Sequence, residues 1–186
     1  MRVIAGKYRS RPLRSLRGLD LRPTADRLRE TLFDVLTAGN PSALQGTVWL
    51  DLYAGTGAVG IEALSRGAAI VYFVESSARA TELVKQNLQS LDVKAGFEIL
   101  TQVTKRALAW LEAKGVAADF VFLDPPYHME DEYGQTLQLL PALLKANSIV
   151  IAEHQKKFDP GDVFAPLRRY RKLKQGDAAL SFYRLP

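Results

Sequence analysis

The stretch LDLYAGTGAVG, from Leu50 to Gly60, joins an apolar run to three glycines. These glycines, at positions 55, 57 and 60, have the Gly-x-Gly-x-x-Gly spacing of the dinucleotide-binding fingerprint. In that fingerprint the glycine loop follows the first strand of a parallel sheet and leads into a helix whose N-terminus faces a ligand. The stretch therefore predicts a parallel α/β sheet with a ligand site at its carboxyl edge, and it leaves the ligand open.

Apolar runs separated by helical segments continue along the chain. They read TVWLDLY, AIVYFVE, a weaker FEILT, DFVFLD and SIVIAEH. Strands that alternate with helices in this way are typical of a parallel sheet covered on both faces. The C-terminal segment YRKLKQGDAALSFYRLP differs, because it predicts two strands joined at Gly176 and Asp177 as a hairpin. We therefore predict a doubly wound, Rossmann-like α/β sheet that is mostly parallel and ends in an antiparallel hairpin.

Length and composition favour one globular domain. A chain of 186 residues, 47% of them hydrophobic, can bury one sizeable core. The sequence has no apolar run long enough for a membrane span, and its first residues lack the apolar core of a signal peptide, so we expect a cytoplasmic protein with no membrane partner. With no cysteine and only two histidines, we expect neither a disulfide nor a metal site. We also expect a monomer.

Positive charge is concentrated at the N-terminus. Residues 1–22 contain seven basic residues and one acidic residue, a net charge of +6, while the rest of the chain has 18 basic and 19 acidic residues, a net charge of −1. We therefore divide the chain into a basic extension, residues 1–22, and a body, residues 23–186. The extension predicts contact with a polyanion, although a solvated basic tail would have the same composition. Its segment RVIAGKYRSRPL alternates around Gly6 as a short two-stranded ribbon would.

A helix is predicted directly after the extension. Thr24 can cap it, Asp26 lies in its first turn, and apolar residues recur at helical spacing until Gly39. The opposite face of this helix is polar and includes Arg27 and Arg29.

Two acidic residues bear on the ligand of the glycine loop. Asp51 lies four residues before Gly55, where its carboxylate would face the pyrophosphate of a dinucleotide and disfavour it. The same carboxylate suits S-adenosylmethionine, which carries an ammonium and a sulfonium and no phosphate. Glu75, 18 residues after Gly57, ends the second strand and could accept hydrogen bonds from ribose hydroxyls of either cofactor. A loop-capping role for Asp51 and an ordinary strand-end role for Glu75 are the alternatives.

The fourth predicted strand ends in the tetrapeptide Asp124-Pro125-Pro126-Tyr127. An exocyclic amine is a poor nucleophile, because its lone pair is delocalised into the ring. Two acceptors at fixed angles, the Asp124 carboxylate and the Pro125 carbonyl, can hold both N–H groups and favour a pyramidal nitrogen. The prolines add rigidity, and the Tyr127 ring offers a face on which a base can stack. Together these residues predict methyl transfer to a planar amine, whereas a Pro-Pro pair alone would only indicate the end of a strand.

These motifs resemble those of the RsmD family of bacterial methyltransferases, and the resemblance covers nearly the whole chain. It is carried by RVIAGKYRSRPL, LRPTADRLRETLFDVL, WLDLYAGTGAVGIEALSRGA, FVESS, DFVFLDPPY and GDAALSFYRL. It implies a class I sheet of seven strands and a methyltransferase that uses S-adenosylmethionine on the N2 amine of a guanine in 16S ribosomal RNA. We expect the substrate to be 16S RNA within an assembling 30S particle, and the sequence leaves open whether bare RNA or a ribosomal protein complex is used.

The resemblance assigns roles to individual residues. The catalytic candidates are Asp124, Pro125, Pro126 and Tyr127, and the cofactor candidates are Asp51, Tyr53, Gly55, Thr56, Gly57, Glu75 and Gln102. The RNA-binding candidates are Arg2, Lys7, Arg9, Arg11, Arg14, Arg22, Thr24 and Arg27. One departure concerns the adenine contact, because the segment TQVTKRALAWL lacks the acid that the family often has there, and Gln102 takes its place.

Three other functions fit part of the pattern. A DNA or other RNA amino-methyltransferase would use the same tetrapeptide, but the chain has no room for the target-recognition region typical of the DNA enzymes. An NAD-dependent oxidoreductase is disfavoured by Asp51, and a non-catalytic RNA-binding module by the intact acids, glycines and tetrapeptide.

Overall fold

The computed structural model describes residues 1–15 and 23–186, without the side chains of residues 23–25. Arg22 and the side chain of Thr24 therefore lie outside the described part of the chain. The helices are α1 (Pro23–Thr37), α2 (Ala58–Ser65), α3 (Ala78–Ser90), α4 (Thr104–Ala113) and α5 (Glu130–Leu139), which runs into a 3₁₀ turn (Leu140–Leu143). The strands are β1 (Val48–Leu52), β2 (Ile70–Glu75), β3 (Phe97–Thr101), β4 (Ala118–Leu123), β5 (Leu144–Gln155), β6 (Val163–Phe164), β7 (Leu167–Gln175) and β8 (Ala178–Arg184).

The described strands form one sheet in the order β3-β2-β1-β4-β5-β8-β7-β6. Strands β1 to β5 pair in parallel, and β8, β7 and β6 are antiparallel additions. The predicted fold class and the C-terminal hairpin are thus confirmed, but the sheet has eight strands instead of seven. The added strand, β6, is two residues long and pairs only with the start of β7, so it is too short to show an alternating pattern in the sequence.

Apolar side chains cover both faces of the sheet. On one face, the fully buried Trp49 ring stacks between Phe33 of α1 and Phe120 of β4, at centroid distances of 5.5 and 5.0 Å. On the other face, the apolar residues of α4 and α5 pack on alternate residues of β1, β4 and β5. Since both faces are covered, ligands have access to the parallel strands at their ends.

The described part of the N-terminal extension forms the predicted ribbon and packs on the body. Residues Arg2 and Pro12 form an antiparallel bridge, and the side chains of Val3 and Leu13 are buried in the core. The fully buried Glu62 of α2 accepts backbone hydrogen bonds from residues 4 and 5 of the ribbon, at 2.7 and 2.9 Å. The extension is therefore anchored by both apolar contacts and a buried carboxylate.

Gly60, the third glycine of the opening stretch, lies in α2 where the helix meets the sheet. A Cβ at this position would lie 2.4 Å from Cε1 of Phe73 and 2.7 Å from Cγ1 of Val71. Both neighbours belong to the packed core, so neither can move away cheaply. Gly60 is required for the contact between helix and sheet.

We expect Gly60→Ala to lower the free energy of unfolding by about 1–3 kcal/mol, because the added methyl group overpacks the core. The measurement is urea denaturation followed by circular dichroism. Gly134→Ala is the matched control: Gly134 also lies in a helix, α5, but its Cβ would have no neighbour closer than 3.7 Å. This control should be neutral or slightly stabilising, since alanine favours a helix. Equal stability of the two variants would contradict the packing role of Gly60.

Candidate active site

Four carboxyl groups meet at the carboxyl edge of the parallel strands. Asp51 lies near the end of β1 and Glu75 ends β2, while Asp124 directly follows β4. The pairing of Leu123 with Ala152 places Asp124 beside Glu153 of β5. The topology thus collects acids that are up to 102 positions apart in the sequence, by the difference between residues 51 and 153.

The loop between β1 and α2 needs left-handed backbone at three positions. Gly55 and Gly57 have φ angles of 55° and 74°, which glycine adopts without strain. Tyr53 has a φ of 60°, which is unfavourable for a residue with a Cβ. Its hydroxyl donates to Glu132 of α5 at 2.7 Å and lies 2.9 Å from the hydroxyl of Thr136. The bonds to α5 therefore hold the strained start of the loop in place.

The Glu75 carboxylate connects the loop to β2. One oxygen accepts from the backbone N–H of Gly55 at 3.0 Å, and the other accepts from that of Ser77 at 2.8 Å. A carboxylate oxygen can accept more than one hydrogen bond, so Glu75 fixes the loop and can still accept from a hydroxyl group of a ligand.

Asp51 is buried, with only 2% of its surface exposed. Its Oδ2 accepts from the backbone N–H of Gly60 at 2.8 Å. Burial raises the pKa of Asp51 to about 8; the hydrogen bond from Gly60 opposes this rise, and the nearby charges of Asp124 and Glu75 add to it. The carboxylate therefore caps α2, and its charge would be favoured by a cationic ligand.

Asp124 lies where the tetrapeptide leaves the sheet. Burial raises its pKa to about 7. No hydrogen bond to its carboxyl group is found within the described part of the chain, in contrast to Asp51 and Glu75. Pro125 is buried, while Pro126 and the Tyr127 ring are exposed. The two acceptors predicted for an amine, the Asp124 carboxylate and the Pro125 carbonyl, thus lie on adjacent residues at the strand end.

Two cavities share Asp124, Tyr53 and Gly55. We call the one beside Glu75 the β2-side cavity; its volume is about 450 Å³. Its wall includes Glu75, Val103, Thr104, Pro125, Pro126, Tyr127 and Met129. We call the one beside Glu153 the β5-side cavity; its volume is about 360 Å³. Its wall includes Met1, Leu28, Arg29, Leu32, Asp51, Thr56, Phe122, Glu153 and Leu180. Asp124 therefore stands at the junction of two separate binding spaces.

Arg29 contributes a buried positive charge to the β5-side cavity. Its side chain is 6% exposed, and one of its terminal nitrogens donates to the backbone carbonyl of Arg2 and to Asp26. Its Nε is buried and has no hydrogen-bond partner within residues 1–15 and 23–186. Burial lowers the pKa of Arg29. An unpaired donor at a cavity wall is available to a ligand.

The structure gives the other predicted cofactor residues different positions. Thr56 lines the β5-side cavity, and Gly57 begins α2 without lining either cavity. Gln102 also lies outside both walls, and the neighbouring Val103 and Thr104 line the β2-side cavity instead.

The basic candidates in the described part of the chain are exposed. They are Arg2, Lys7, Arg9, Arg11, Arg14 and Arg27. None of them forms a salt bridge with a described residue, although Arg11 and Arg14 donate to Ser90 and Gln86 of α3. Their charges are thus available to an anionic partner.

Sequence reasoning missed three residues of the site. Arg29 was placed on the polar face of a helix, and Glu153 received no role although it lies near the carboxyl end of β5, beside Asp124. Asn87 of α3 is fully buried, and its amide donates to the backbone carbonyls of Thr56 in the glycine loop and Arg14 in the extension. The strand-end rule could have indicated Glu153, whereas nothing in the local sequence indicates the other two.

Membrane-spanning helices and metal-ligand clusters are both absent from the described residues. No described helix is long and apolar enough to cross a membrane. Likewise, no cluster of three or more potential metal ligands occurs among those residues.

The chain is similar to several known proteins. The profile of a family described as "Conserved hypothetical protein 95" matches residues 1–184. Ribosomal RNA small subunit methyltransferase D of Haemophilus influenzae is 36% identical over 84% of this chain and 79% of its own length. YlbH of Bacillus subtilis, described as a candidate rRNA methyltransferase, is 31% identical over 99% of this chain and 98% of its own. Among solved structures, YhhF of Escherichia coli, described as a candidate methyltransferase, superposes with a TM-score of 0.81 at 28% identity, covering 100% of this chain and 97% of that one.

The fold and the site define a Rossmann-like α/β methyltransferase. Within that class, the chain belongs to the family whose profile it matches, the RsmD family of ribosomal RNA methyltransferases.

Proposed function

We propose that this chain methylates the exocyclic N2 amine of a guanine in 16S ribosomal RNA, as a cytoplasmic monomer acting on an assembling 30S particle. The observation that carries the proposal is the position of Asp124. Its carboxyl group stands at the junction of two cavities and makes no hydrogen bond with a described residue. A transfer reaction between two bound molecules needs such a junction.

The residues around the junction fit S-adenosylmethionine. Glu75 can accept hydrogen bonds from the ribose hydroxyls in the β2-side cavity, and the aliphatic Val103 can pack against the adenine. Asp51 lines the β5-side cavity together with the shared residues Tyr53 and Gly55, and its carboxylate favours the ammonium group of the methionine part. When bound, this cofactor supplies an electrophilic methyl group on a sulfonium.

The tetrapeptide prepares the amine. The Asp124 carboxylate and the Pro125 carbonyl accept the two N–H bonds, which turns the nitrogen lone pair away from the ring. The exposed face of Tyr127 can stack on the base and offset part of the cost of unstacking it from the RNA. The Asp124 carboxylate can also accept the proton that the methylated nitrogen must lose.

Support for a ribosomal RNA substrate comes from two sources. The Haemophilus influenzae relative bears the name of a small-subunit ribosomal RNA methyltransferase. The exposed basic residues of the extension, which form no salt bridge with a described residue, give a surface suited to phosphates. We include residues 1–22 in this RNA-facing surface, with Arg22 and Thr24 as candidates beyond the described side chains.

The experiment that tests the function is nucleoside mass spectrometry. Purified protein and S-adenosylmethionine carrying a labelled methyl group are incubated with 16S RNA and with partly assembled 30S particles, and the RNA is digested. We expect the label in N2-methylguanine, and Asp124→Ala should abolish it while cofactor binding persists. Label on adenine or cytosine would contradict the guanine assignment, and substantial turnover by Asp124→Ala would remove this carboxylate from the mechanism.

RNA binding by the extension is tested by charge substitution. Deleting the extension would also remove the buried Val3 and Leu13, so point changes are preferable. We expect Lys7→Gln combined with Arg9→Gln to weaken RNA binding and to reduce the slope of log K against log salt by about 2, because two phosphate contacts are lost.

The matched control for this experiment is Lys94→Gln combined with Lys114→Gln, which changes the net charge equally. Each of these lysines forms an ion pair with an acid, Lys94 with Asp92 at 3.4 Å and Lys114 with Glu98 at 3.8 Å. Identical salt slopes for the two double variants would show that the extension does not contact phosphates.

A further inference from the structure

We propose that Glu153 selects guanine by accepting a hydrogen bond from the ring N1–H group next to the target amine. This inference rests on the proposed transfer to guanine N2, and it deepens that proposal by naming the residue that recognises the base.

Glu153 lies beside Asp124 on the neighbouring strand. Strands β4 and β5 pair in parallel, Phe122 with Ile151 and Leu123 with Ala152, so Asp124 and Glu153 occupy the next pair of positions. Alternate residues of a strand face the same side, and Phe122 and Ile151 belong to the core under α1. Asp124 and Glu153 therefore point to that same face, and both line the β5-side cavity.

In the described part of the chain, the Glu153 carboxyl group forms no hydrogen bond that the fold requires. No hydrogen bond to this carboxyl group is found within the described residues, whereas the backbone carbonyl of Glu153 accepts from the hydroxyl of Tyr133 at 2.8 Å. The backbone is thus fixed, while the carboxyl group faces a cavity whose walls include the apolar side chains of Leu28, Leu32 and Leu180. A half-buried carboxyl group in such a place is available to a polar group of a ligand.

The bases differ in the hydrogen-bonding groups that flank the exocyclic amine. In guanine, the N2 amine is flanked by the N1–H donor on one side and by the N3 acceptor on the other. In adenine and cytosine, the ring nitrogens next to the exocyclic amine are acceptors only. A carboxylate placed beside the amine site therefore matches guanine and repels the other two bases. A mismatched base would leave the half-buried carboxylate without a donor, which costs binding free energy.

The charges around Glu153 are compatible with this role. Burial raises its pKa, the neighbouring Asp124 raises it further, and Arg29 lowers it. Arg29 lies on the wall of the same cavity with a buried Nε that has no partner among the described residues. The net effect is a pKa of Glu153 well above its usual value; Arg29 opposes this rise, and a hydrogen bond from N1–H would favour the ionised form further, because that form can only accept.

The test compares two bases at the methylated position. Once that position has been mapped, 16S RNA is assembled by ligation with either guanine or 2-aminopurine there. The second base keeps the 2-amine, but its N1 is an acceptor. Single-turnover rates are measured with wild type, Glu153→Gln and Glu153→Ala, and the cofactor affinity of each protein is measured by calorimetry.

We expect wild type to prefer guanine by at least about tenfold, the effect of one unmatched hydrogen bond. A glutamine amide can donate as well as accept, so Glu153→Gln should reduce this preference severalfold or more, chiefly through faster methylation of 2-aminopurine. Glu153→Ala should lose most of the preference without that gain. Glu130→Gln, a change of an exposed residue outside both cavities, should keep the wild-type ratio.

Three results would overturn the inference. A base preference that is the same in Glu153→Gln and wild type would mean that Glu153 does not contact N1. A loss of cofactor affinity with an unchanged base preference would assign Glu153 to the cofactor. An equal loss of rate on both bases at normal cofactor affinity would make it a residue that only positions Asp124. In each case wild type would still methylate guanine at N2, so these results differ from failure of the proposed function, in which wild type methylates no guanine.

Discussion

Desolvation of carboxyl groups at one edge of the sheet is the constraint on which the rest of the site depends. Parallel pairing of β1, β2, β4 and β5 brings Asp51, Glu75, Asp124 and Glu153 to the same edge. Removing a carboxylate from water costs free energy unless hydrogen bonds or positive charges replace the solvent. The raised pKa values of Asp51, about 8, and Asp124, about 7, report that cost.

The four carboxyl groups differ in how many hydrogen-bond donors of the chain replace the lost solvent. Glu75 accepts hydrogen bonds from the backbone N–H groups of Gly55 in the glycine loop and Ser77 at the start of α3. One oxygen of Asp51 accepts from the backbone N–H of Gly60 in α2. Asp124 and Glu153 have no such donors among the described residues, and both face the β5-side cavity. The two acids that contact the glycine loop and α2, Glu75 and Asp51, are therefore partly used by the fold, whereas Asp124 and Glu153 are left for a ligand. Such a pattern is typical of a site that is destabilised until it binds its substrate.

Local sequence was sufficient for the parts of the site that lie on one motif. The glycine spacing, the acid at the end of β2 and the tetrapeptide after β4 each carry their own signal, and the strand-helix alternation predicts that they share an edge. The burial of Arg29 could not be predicted, because it depends on the extension folding over α1. There the backbone carbonyl of Arg2 in the extension accepts a hydrogen bond from the Arg29 guanidinium. Asn87 is similar, since its role requires the extension and the glycine loop to meet at α3. Glu153 obeys the strand-end rule, but the segment around it, IAEHQ, has no proline or aromatic residue that would mark it as functional.

The central claim is that Asp51 is kept at this edge for a cationic cofactor, and proton release on binding tests it most directly. Calorimetry of S-adenosylmethionine binding at pH 7 is repeated in buffers with different ionisation enthalpies. Asp51, with a pKa of about 8, is mostly protonated at this pH, and a cation beside it lowers that pKa. For wild type at pH 7, the account predicts a buffer-dependent binding enthalpy that corresponds to release of close to one proton. Asp51→Asn should release less, and wild type should release little well above pH 8. A binding enthalpy that is the same in every buffer, with wild type and Asp51→Asn alike, would contradict it.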